Sequence, residues 1–141
     1  MKGIYLLIFE VKRPKTKNVG GLGTIKFDPG TYTYVGSAQN GIEGRVKRHL
    51  REDKRKHWHI DYLLESQYIK EVMAYEGGKS EECETASFLK EELQGIEEFG
   101  CSDCDCSSHL FYTEKDPDEV VESVRKFKGK EDMGLKELES Q

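Results

Sequence analysis

The amino-acid sequence predicts an α+β fold, a small three-stranded antiparallel sheet flanked by helices. Residues 3–11, GIYLLIFEV, are apolar on both alternating faces and rich in β-forming side chains, which is typical of a central strand. Residues 24–27 and 31–38 are two further strand segments joined by a tight turn at residues 28–30. The stretch TYTYVGSA is expected to pair antiparallel with the first strand.

The remaining elements alternate between helix and strand. Ile42, Val46 and Leu50 recur every four residues and predict a helix, a second helix covers residues 57–66, and residues 68–76 predict a strand. Helices are also expected over residues 80–93 and, after a short apolar strand, from Pro117. Asp116 as cap, proline at the first helical position and Glu119 in capping-box position mark that last helix.

Length and composition predict one cytoplasmic domain. The chain has 141 residues and a mean hydropathy of -0.74, and no apolar run approaches the roughly 20 residues that a membrane helix needs. The start, MKGIYLLIFEVKR, becomes charged again too soon for a signal peptide. We expect a single domain over residues 1–128 and a disordered tail over 129–141, which has little to bury.

The charge distribution favours a phosphate-bearing partner. The formal net charge is -5, but residues 45–59 hold seven Lys or Arg against two acids, together with three histidines. A cationic face of this kind suits DNA or another nucleic acid, although it also fits a merely solvated basic helix. The candidate nucleic-acid contacts are Lys47, Arg48, Arg51, Lys54, Arg55, His57 and His59. His57 and His59 lie beside Asp61, so they fit either an exposed helix start or a histidine oriented by that carboxylate.

Four side chains around the first two long strands suit phosphodiester chemistry. If residues 3–11 and 31–38 pair, Tyr5 and Tyr34 approach the following helix, on which Arg45 and His49 lie one turn apart. A guanidinium binds non-bridging phosphate oxygens, and a phenol or imidazole orients or deprotonates water. The alternative is that the tyrosines are ordinary strand aromatics.

The carboxylate for a divalent metal is sought on the helix over residues 80–93. Glu82 lies in register with the apolar residues Ala86, Leu89 and Leu93, whereas Glu84 points nearly the opposite way. An acid on an inward stripe is costly unless it is paired or bound to a metal. Glu82 is therefore the candidate ligand for Mg²⁺ or Mn²⁺.

A cysteine cluster is the second candidate site. Cys101, Cys104, Cys106 and His109 have the spacing C-x2-C-x-C-x2-H. Short C-x2-C steps are common in Zn²⁺ sites, but four ligands within nine residues strain to form one tetrahedron. A redox-active thiol pair and a structural loop with buried sulfur remain open alternatives.

Several of these motifs resemble the GIY-YIG nuclease superfamily. They are GIY at residues 3–5, YVG followed by SA at residues 34–38, and an Arg-x-x-Arg-His pattern ending at His49. HWHIDYLL, EC before a helix and FGCSDCDCSSHLFY are similar to a largely archaeal, single-domain branch of that superfamily. The resemblance covers residues 1–113.

The resemblance implies metal-dependent endonuclease activity. Tyr5 would help to activate water, Tyr34 would support the site, Arg45 would contact the scissile phosphate, and Glu82 would bind Mg²⁺ or Mn²⁺. His49 or a histidine of HWH would accept the proton. Two other functions are compatible with the same sequence: a non-catalytic nucleic-acid-binding module, and a zinc- or thiol-dependent interaction protein centred on residues 101–109.

Overall fold

The computed structural model describes residues 2–38, 41–50, 60, 69–96, 99 and 108–134. Within these ranges the chain forms one 3-10 turn over Gly20–Leu22, seven strands and three helices. The strands are β1 (Gly3–Val11), β2 (Lys15–Asn18), β3 (Thr24–Phe27), β4 (Gly30–Ala38), β5 (Ile69–Glu76), β6 (Gln94–Gly95) and β7 (Leu110–Thr113). The helices are α1 (Ile42–Leu50), α2 (Ser80–Glu92) and α3 (Pro117–Lys128).

The main sheet is antiparallel, with five strands in the order β5-β1-β4-β7-β6. The α+β class is therefore confirmed, but the predicted number of three strands is wrong. β7 extends the sheet by pairing with β4, and the two-residue β6 pairs with β7. A strand of two residues carries no periodic signal, and β7 is separated from its partner by more than seventy residues of sequence.

The apolar character of β1 on both faces is explained by its central position between β4 and β5. Tyr5, Leu7 and Phe9 lie in one core cluster with Ile42 and Val46 of α1. The alternate side chains of β1 lie in a second cluster with α2 and α3: Ile4, Leu6 and Ile8. The sheet thus has two covered sides, here called the α1 face and the α2/α3 face.

The third helix begins where its sequence signals predict. Pro117 is its first residue and Asp116 precedes it in extended conformation, although Asp116 makes no side-chain cap bond. Val120, Val121 and Val124 are buried against the sheet. The helix ends at Gly129, whose φ of 65° is the left-handed conformation in which glycine is favoured over other residues.

The segment between β1 and β4 is a two-stranded ribbon, whose second strand is the one that the sequence predicts over residues 24–27. β2 and β3 pair antiparallel, with Lys15 opposite Phe27 and Asn18 opposite Thr24. Val19 and Phe27 are fully buried in the core of the α1 face. These two apolar anchors hold the ribbon on the domain.

Residues 129–134 are docked on the sheet, whereas the sequence predicts a disordered tail from residue 129. Met133 and Ala74 exchange two backbone hydrogen bonds of 2.8 Å, so the chain forms a bridge to the free edge of β5. Arg125 and Asp132 form an ion pair, with Nε and Oδ1 2.8 Å apart. The rest of the tail lies outside the described residues.

The predicted helix over residues 57–66 also lies outside the described residues, apart from the buried Ile60. In the ranges that are described, no helix is long and apolar enough to cross a membrane.

Candidate functional site

The two sequence tripeptides meet through the pairing of β1 with β4. Tyr5 lies opposite Gly36, and Gly3 lies opposite Ala38. A Cβ atom on Gly36 would overlap the Tyr5 ring, so only glycine leaves room for that side chain. A Cβ atom on Gly3 would overlap the carbonyl oxygen of Tyr75 and lie 2.8 Å from Ile42 Cδ1. The two glycines therefore permit β5, α1 and the Tyr5 ring to pack closely.

Tyr5, Tyr34 and His49 form one aromatic cluster on the α1 face. The Tyr5 hydroxyl and His49 Nε2 are 2.6 Å apart, a short hydrogen bond. The ring centroid of Tyr34 is 6.4 Å from that of Tyr5 and 6.0 Å from that of His49. Tyr5 is 1% exposed and His49 0%. The expected convergence of these three side chains is therefore present, in a buried position.

Arg45 stands at the rim of this cluster. It lies one helical turn before His49 on α1 and is half-buried. Its Nη1 donates a hydrogen bond of 3.0 Å to the carbonyl oxygen of Ser37, at the end of β4. This bond fixes the guanidinium at the corner where the strand ends and the helix begins. Such a position suits an arginine that binds an anion arriving from solvent.

Glu82 points inward, as its position on the helical stripe predicts, but it approaches the sheet from the other side. Glu82 is 6% exposed, whereas Glu84 is exposed. The buried stripe of α2 includes Ala86 and Leu89, which belong to the core of the α2/α3 face. The sheet therefore lies between Glu82 and the Tyr5–His49 pair.

The described partner of Glu82 is His109, which the sequence assigns to the cysteine cluster. His109 Nδ1 lies 3.7 Å from Glu82 Oε2, and both side chains are buried. The carbonyl oxygen of His109 accepts a 2.9 Å hydrogen bond from the backbone of Val35 on β4. The sequence did not predict this pair, because His109 is brought to Glu82 by the long-range pairing of β7 with β4. One signal in the sequence pointed to it: His109 lies two residues before the buried Phe111, and side chains two residues apart in an extended chain lie on the same face of a sheet.

The other candidate residues divide between exposed and undescribed positions. Lys47 is exposed and Arg48 half-exposed on α1. Arg51, Lys54, Arg55, His57 and His59 lie outside the described residues, as do Cys101, Cys104 and Cys106. Cys83 on α2 is half-buried.

Tyr32 has a structural role distinct from that of Tyr5. Its hydroxyl donates a 2.7 Å hydrogen bond to the carbonyl oxygen of Asp28, closing the turn before β4. Burial is the main cause that raises the pKa of Tyr32 far above its ordinary value, and the neighbouring Tyr112 and Asp28 add to the rise. Tyr32 therefore stays protonated and supports the strand.

The described residues do not by themselves assemble a divalent-metal site. Within the described ranges, no three His, Cys, Asp or Glu side chains are grouped closely enough to hold a metal ion. Mg²⁺ keeps several waters, so a carboxylate that binds it must be open to solvent and to a substrate phosphate. Glu82 is nearly inaccessible and faces His109. As arranged here, it does not fit a metal ion shared with Tyr5 and Arg45.

Comparison with known proteins gives a family and no activity. Neither the search of curated proteins nor the search of solved structures returned a match. The family model described as domain of unknown function DUF123 matches residues 4–131, which includes every described element except the first residue of β1. The chain therefore belongs to the DUF123 family.

Proposed function

We propose that this protein is a nuclease of the GIY-YIG type that hydrolyses phosphodiester bonds in DNA or another nucleic acid. The observation that carries the proposal is the 2.6 Å contact between the Tyr5 hydroxyl and His49 Nε2, beside Arg45. The order of GIY, YVG and the Arg45–His49 helix in the sequence supports it.

The Tyr5–His49 pair provides a route for a proton. When Nε2 carries no proton it accepts the phenol hydrogen, which leaves the Tyr5 oxygen able to take a proton from an attacking water. Tyr34 packs against both rings and limits their movement. Because Tyr5 is 1% exposed, substrate binding has to uncover its hydroxyl.

Arg45 is the residue that would hold the phosphate. Its guanidinium keeps a planar fork of donors, of which the Nη1 hydrogen bond to Ser37 uses one. The fork geometry of a guanidinium suits two oxygens of a phosphate, and charge-assisted bonds of this kind are about twice as strong as neutral ones. The exposed Lys47 on the same helix adds positive charge for longer-range attraction.

The resemblance implies Mg²⁺ or Mn²⁺ as cofactor, and this requirement is part of the proposal. When bound, such an ion would stabilise negative charge on the phosphate oxygens. Glu82 does not fit as its ligand, because that carboxylate is buried and contacts His109.

The test is a cleavage assay with supercoiled, single-stranded and branched DNA, in Mg²⁺, in Mn²⁺ and in chelator. We expect cleavage by the wild type and a loss of about 10²- to 10⁴-fold in Tyr5→Phe, because general acid–base groups contribute rate factors of that size. Arg45→Ala is expected to lose comparable activity. Tyr5→Phe should cost only about 1 kcal/mol of unfolding free energy, as expected for one hydrogen bond.

The matched control is Tyr112→Phe, which likewise removes a hydrogen-bonded tyrosine hydroxyl. The Tyr112 hydroxyl lies away from His49 and donates its hydrogen bond to the backbone carbonyl of Pro29. This variant should keep wild-type cleavage. The proposal of hydrolysis at this site is contradicted if no substrate is cleaved in any metal, or if Tyr5→Phe and Arg45→Ala cleave as the wild type does. Salt-sensitive DNA binding without turnover would select the non-catalytic binding module instead.

The contact between Glu82 and His109 favours a second candidate, a zinc-dependent interaction protein. Histidines that bind zinc commonly present their other ring nitrogen to a carboxylate, which fixes the ring orientation. His109 Nδ1 faces Glu82 in that manner, and Cys106 lies three residues earlier in the chain. Elemental analysis should then find about one zinc per chain, lost in Cys104→Ser and reduced in Glu82→Gln. Absence of zinc from the purified protein would contradict this candidate.

A further inference from the structure

The ribbon formed by β2 and β3, together with the residues that lead into it, carries charge of one sign. Residues 12–27 contain no acid and five cations: Lys12, Arg13, Lys15, Lys17 and Lys26. The same stretch is embedded in a protein whose formal net charge is -5. Overall composition therefore gives no reason for a purely cationic segment here.

The ribbon presents a polar surface outward and an apolar surface inward. Lys15 lies opposite Phe27 and Lys17 opposite Ile25, so these four residues share one side of the ribbon. That side packs on the core through Phe27 and Ile25. The outward side carries exposed hydroxyl, amide and ammonium groups, from Thr16, Asn18, Thr24 and Lys26. Lys12 and Arg13 are exposed at its base.

The ribbon and α1 lie on the same side of the sheet. Val19 and Phe27 of the ribbon share a core cluster with Ile42 and Val46 of α1. The ribbon continues from Val11 at one end of β1, whereas α1 packs beside Gly3 at the other end. Eight residue steps of an extended strand span about 26 Å. Along one nucleic-acid strand that distance corresponds to about eight phosphates, at about 3.4 Å each.

We propose that the β2–β3 ribbon is a second nucleic-acid contact that binds the phosphate backbone of a duplex whose cleavage site lies at Arg45. This inference rests on the proposed function for its choice of partner. Lys12, Arg13 and Lys26 neutralise phosphates, and the outward hydroxyl and amide groups donate further hydrogen bonds to them.

A duplex is favoured over a single strand because the ribbon offers no ring for base stacking. Proteins that bind single strands combine a basic groove with aromatic side chains on which unpaired bases stack. Phe27 is the only aromatic residue in positions 12–27, and it is 0% exposed. The exposed groups of the ribbon therefore fit a sugar–phosphate backbone and not unpaired bases.

The test measures binding of a 20-base-pair DNA duplex, and of one of its strands alone, by fluorescence anisotropy between 50 and 200 mM NaCl. The ribbon variant is Lys12→Gln, Arg13→Gln, Lys26→Gln. The matched control removes three exposed lysines near α2 and α3 on the other side of the sheet: Lys90→Gln, Lys115→Gln, Lys126→Gln. Both variants change the net charge by the same amount.

We expect the ribbon variant to bind the duplex at least about tenfold more weakly at 50 mM salt. Its slope of log affinity against log salt should be smaller by about 2.7, at about 0.9 for each lost phosphate contact. The control should keep the wild-type slope. The inference is overturned if the ribbon variant binds as the wild type does, if the control loses as much affinity, or if the single strand binds as tightly as the duplex.

Cleavage by the same proteins separates this inference from the proposed function. If the wild type cleaves DNA and the ribbon variant binds the duplex as tightly as the wild type, the ribbon contact is contradicted and the proposed hydrolytic site is not. If binding depends on the ribbon but no DNA is cleaved, the ribbon contact is supported and the proposed hydrolytic activity is contradicted. If the wild type binds no duplex even at 50 mM salt, both the ribbon contact and the proposed function are contradicted.

Discussion

Two buried histidines lie on opposite faces of the sheet, and each has a different oxygen partner. His49, on the α1 face, contacts the phenol of Tyr5 at 2.6 Å. His109, on the α2/α3 face, lies 3.7 Å from the carboxylate of Glu82. A phenol is neutral near pH 7, whereas a carboxylate carries a charge unless burial suppresses it. The first pair therefore suits proton transfer, and the second suits fixing a ring in place.

The difference also separates chemistry from stability. A neutral hydrogen bond contributes about 1 kcal/mol to folding, so its loss leaves the fold intact and exposes any effect on activity. Removing a buried carboxylate leaves its buried partner uncompensated and costs several times more. Variants at the Tyr5–His49 pair should accordingly change activity more than stability, and variants at the Glu82–His109 pair should mainly change stability.

The largest effect on stability is expected for Glu82→Ala. It leaves His109 buried without its carboxylate partner, which we expect to lower the free energy of unfolding by about 3–5 kcal/mol. Urea denaturation followed by circular dichroism measures the change. The control is Glu84→Ala, because Glu84 is on the same helix but exposed, and a change within about 0.5 kcal/mol is expected. Equal effects of the two variants would show that the Glu82–His109 contact contributes nothing.

An intermediate effect is expected for Gly36→Ala, which tests how tightly the Tyr5 side chain is held. The added Cβ overlaps the Tyr5 ring, and overpacking of this kind costs about 1–3 kcal/mol. The same variant should displace the Tyr5 hydroxyl from His49 and reduce cleavage.

Gly44→Ala is the matched control for this substitution. Gly44 lies inside α1 with no atom within 4 Å of an added Cβ, so alanine there should stabilise the helix by about 0.5–1 kcal/mol. Wild-type stability in Gly36→Ala would contradict the close packing of the Tyr5 ring.

The smallest effect is expected for Tyr75→Phe and depends on pH. Burial raises the pKa of Tyr75 to about 12, and its hydroxyl has no hydrogen-bond partner among the described residues. Because the folded-state pKa lies above the unfolded value near 10, the contribution of the neutral phenol is complete below pH 10. It is lost as the pH rises from 10 toward 12.

Tyr75→Phe should therefore match the wild type within about 0.5 kcal/mol at pH 8 and lose less stability than the wild type above pH 10. Urea denaturation at both pH values tests this, and absorbance at 295 nm follows ionisation. Parallel losses in the two proteins would show that Tyr75 titrates normally.

The α1 side of the molecule was predictable from sequence because its signals are local. β1 and β4 pair antiparallel because the chain between them turns back through the β2–β3 ribbon, and alternation then puts Tyr5 and Tyr34 on one face. Helical periodicity places Arg45 and His49 one turn apart. Each of these steps depends on a short stretch of chain.

The Glu82 side was only half predictable. Periodicity shows that Glu82 points toward the core, but it does not show on which side of the sheet α2 packs. That choice is made by the long-range pairing of β7 and by the apolar residues of α3. The ribbon was only partly predicted for a related reason. Its strand over residues 24–27 is expected from sequence, but β2 is four residues long, and the anchors Val19 and Phe27 are isolated in a polar, glycine-rich stretch.

The bridge between Met133 and Ala74 has a consequence for how copies of this protein behave at high concentration. β5 is the outer strand of the sheet beside β1, and the exposed edge of such a strand can recruit a strand from another molecule. Met133 occupies the backbone donor and acceptor of Ala74 in the middle of that edge. Removing residues beyond Gly129 would reopen it, so a shortened chain is expected to associate edge to edge.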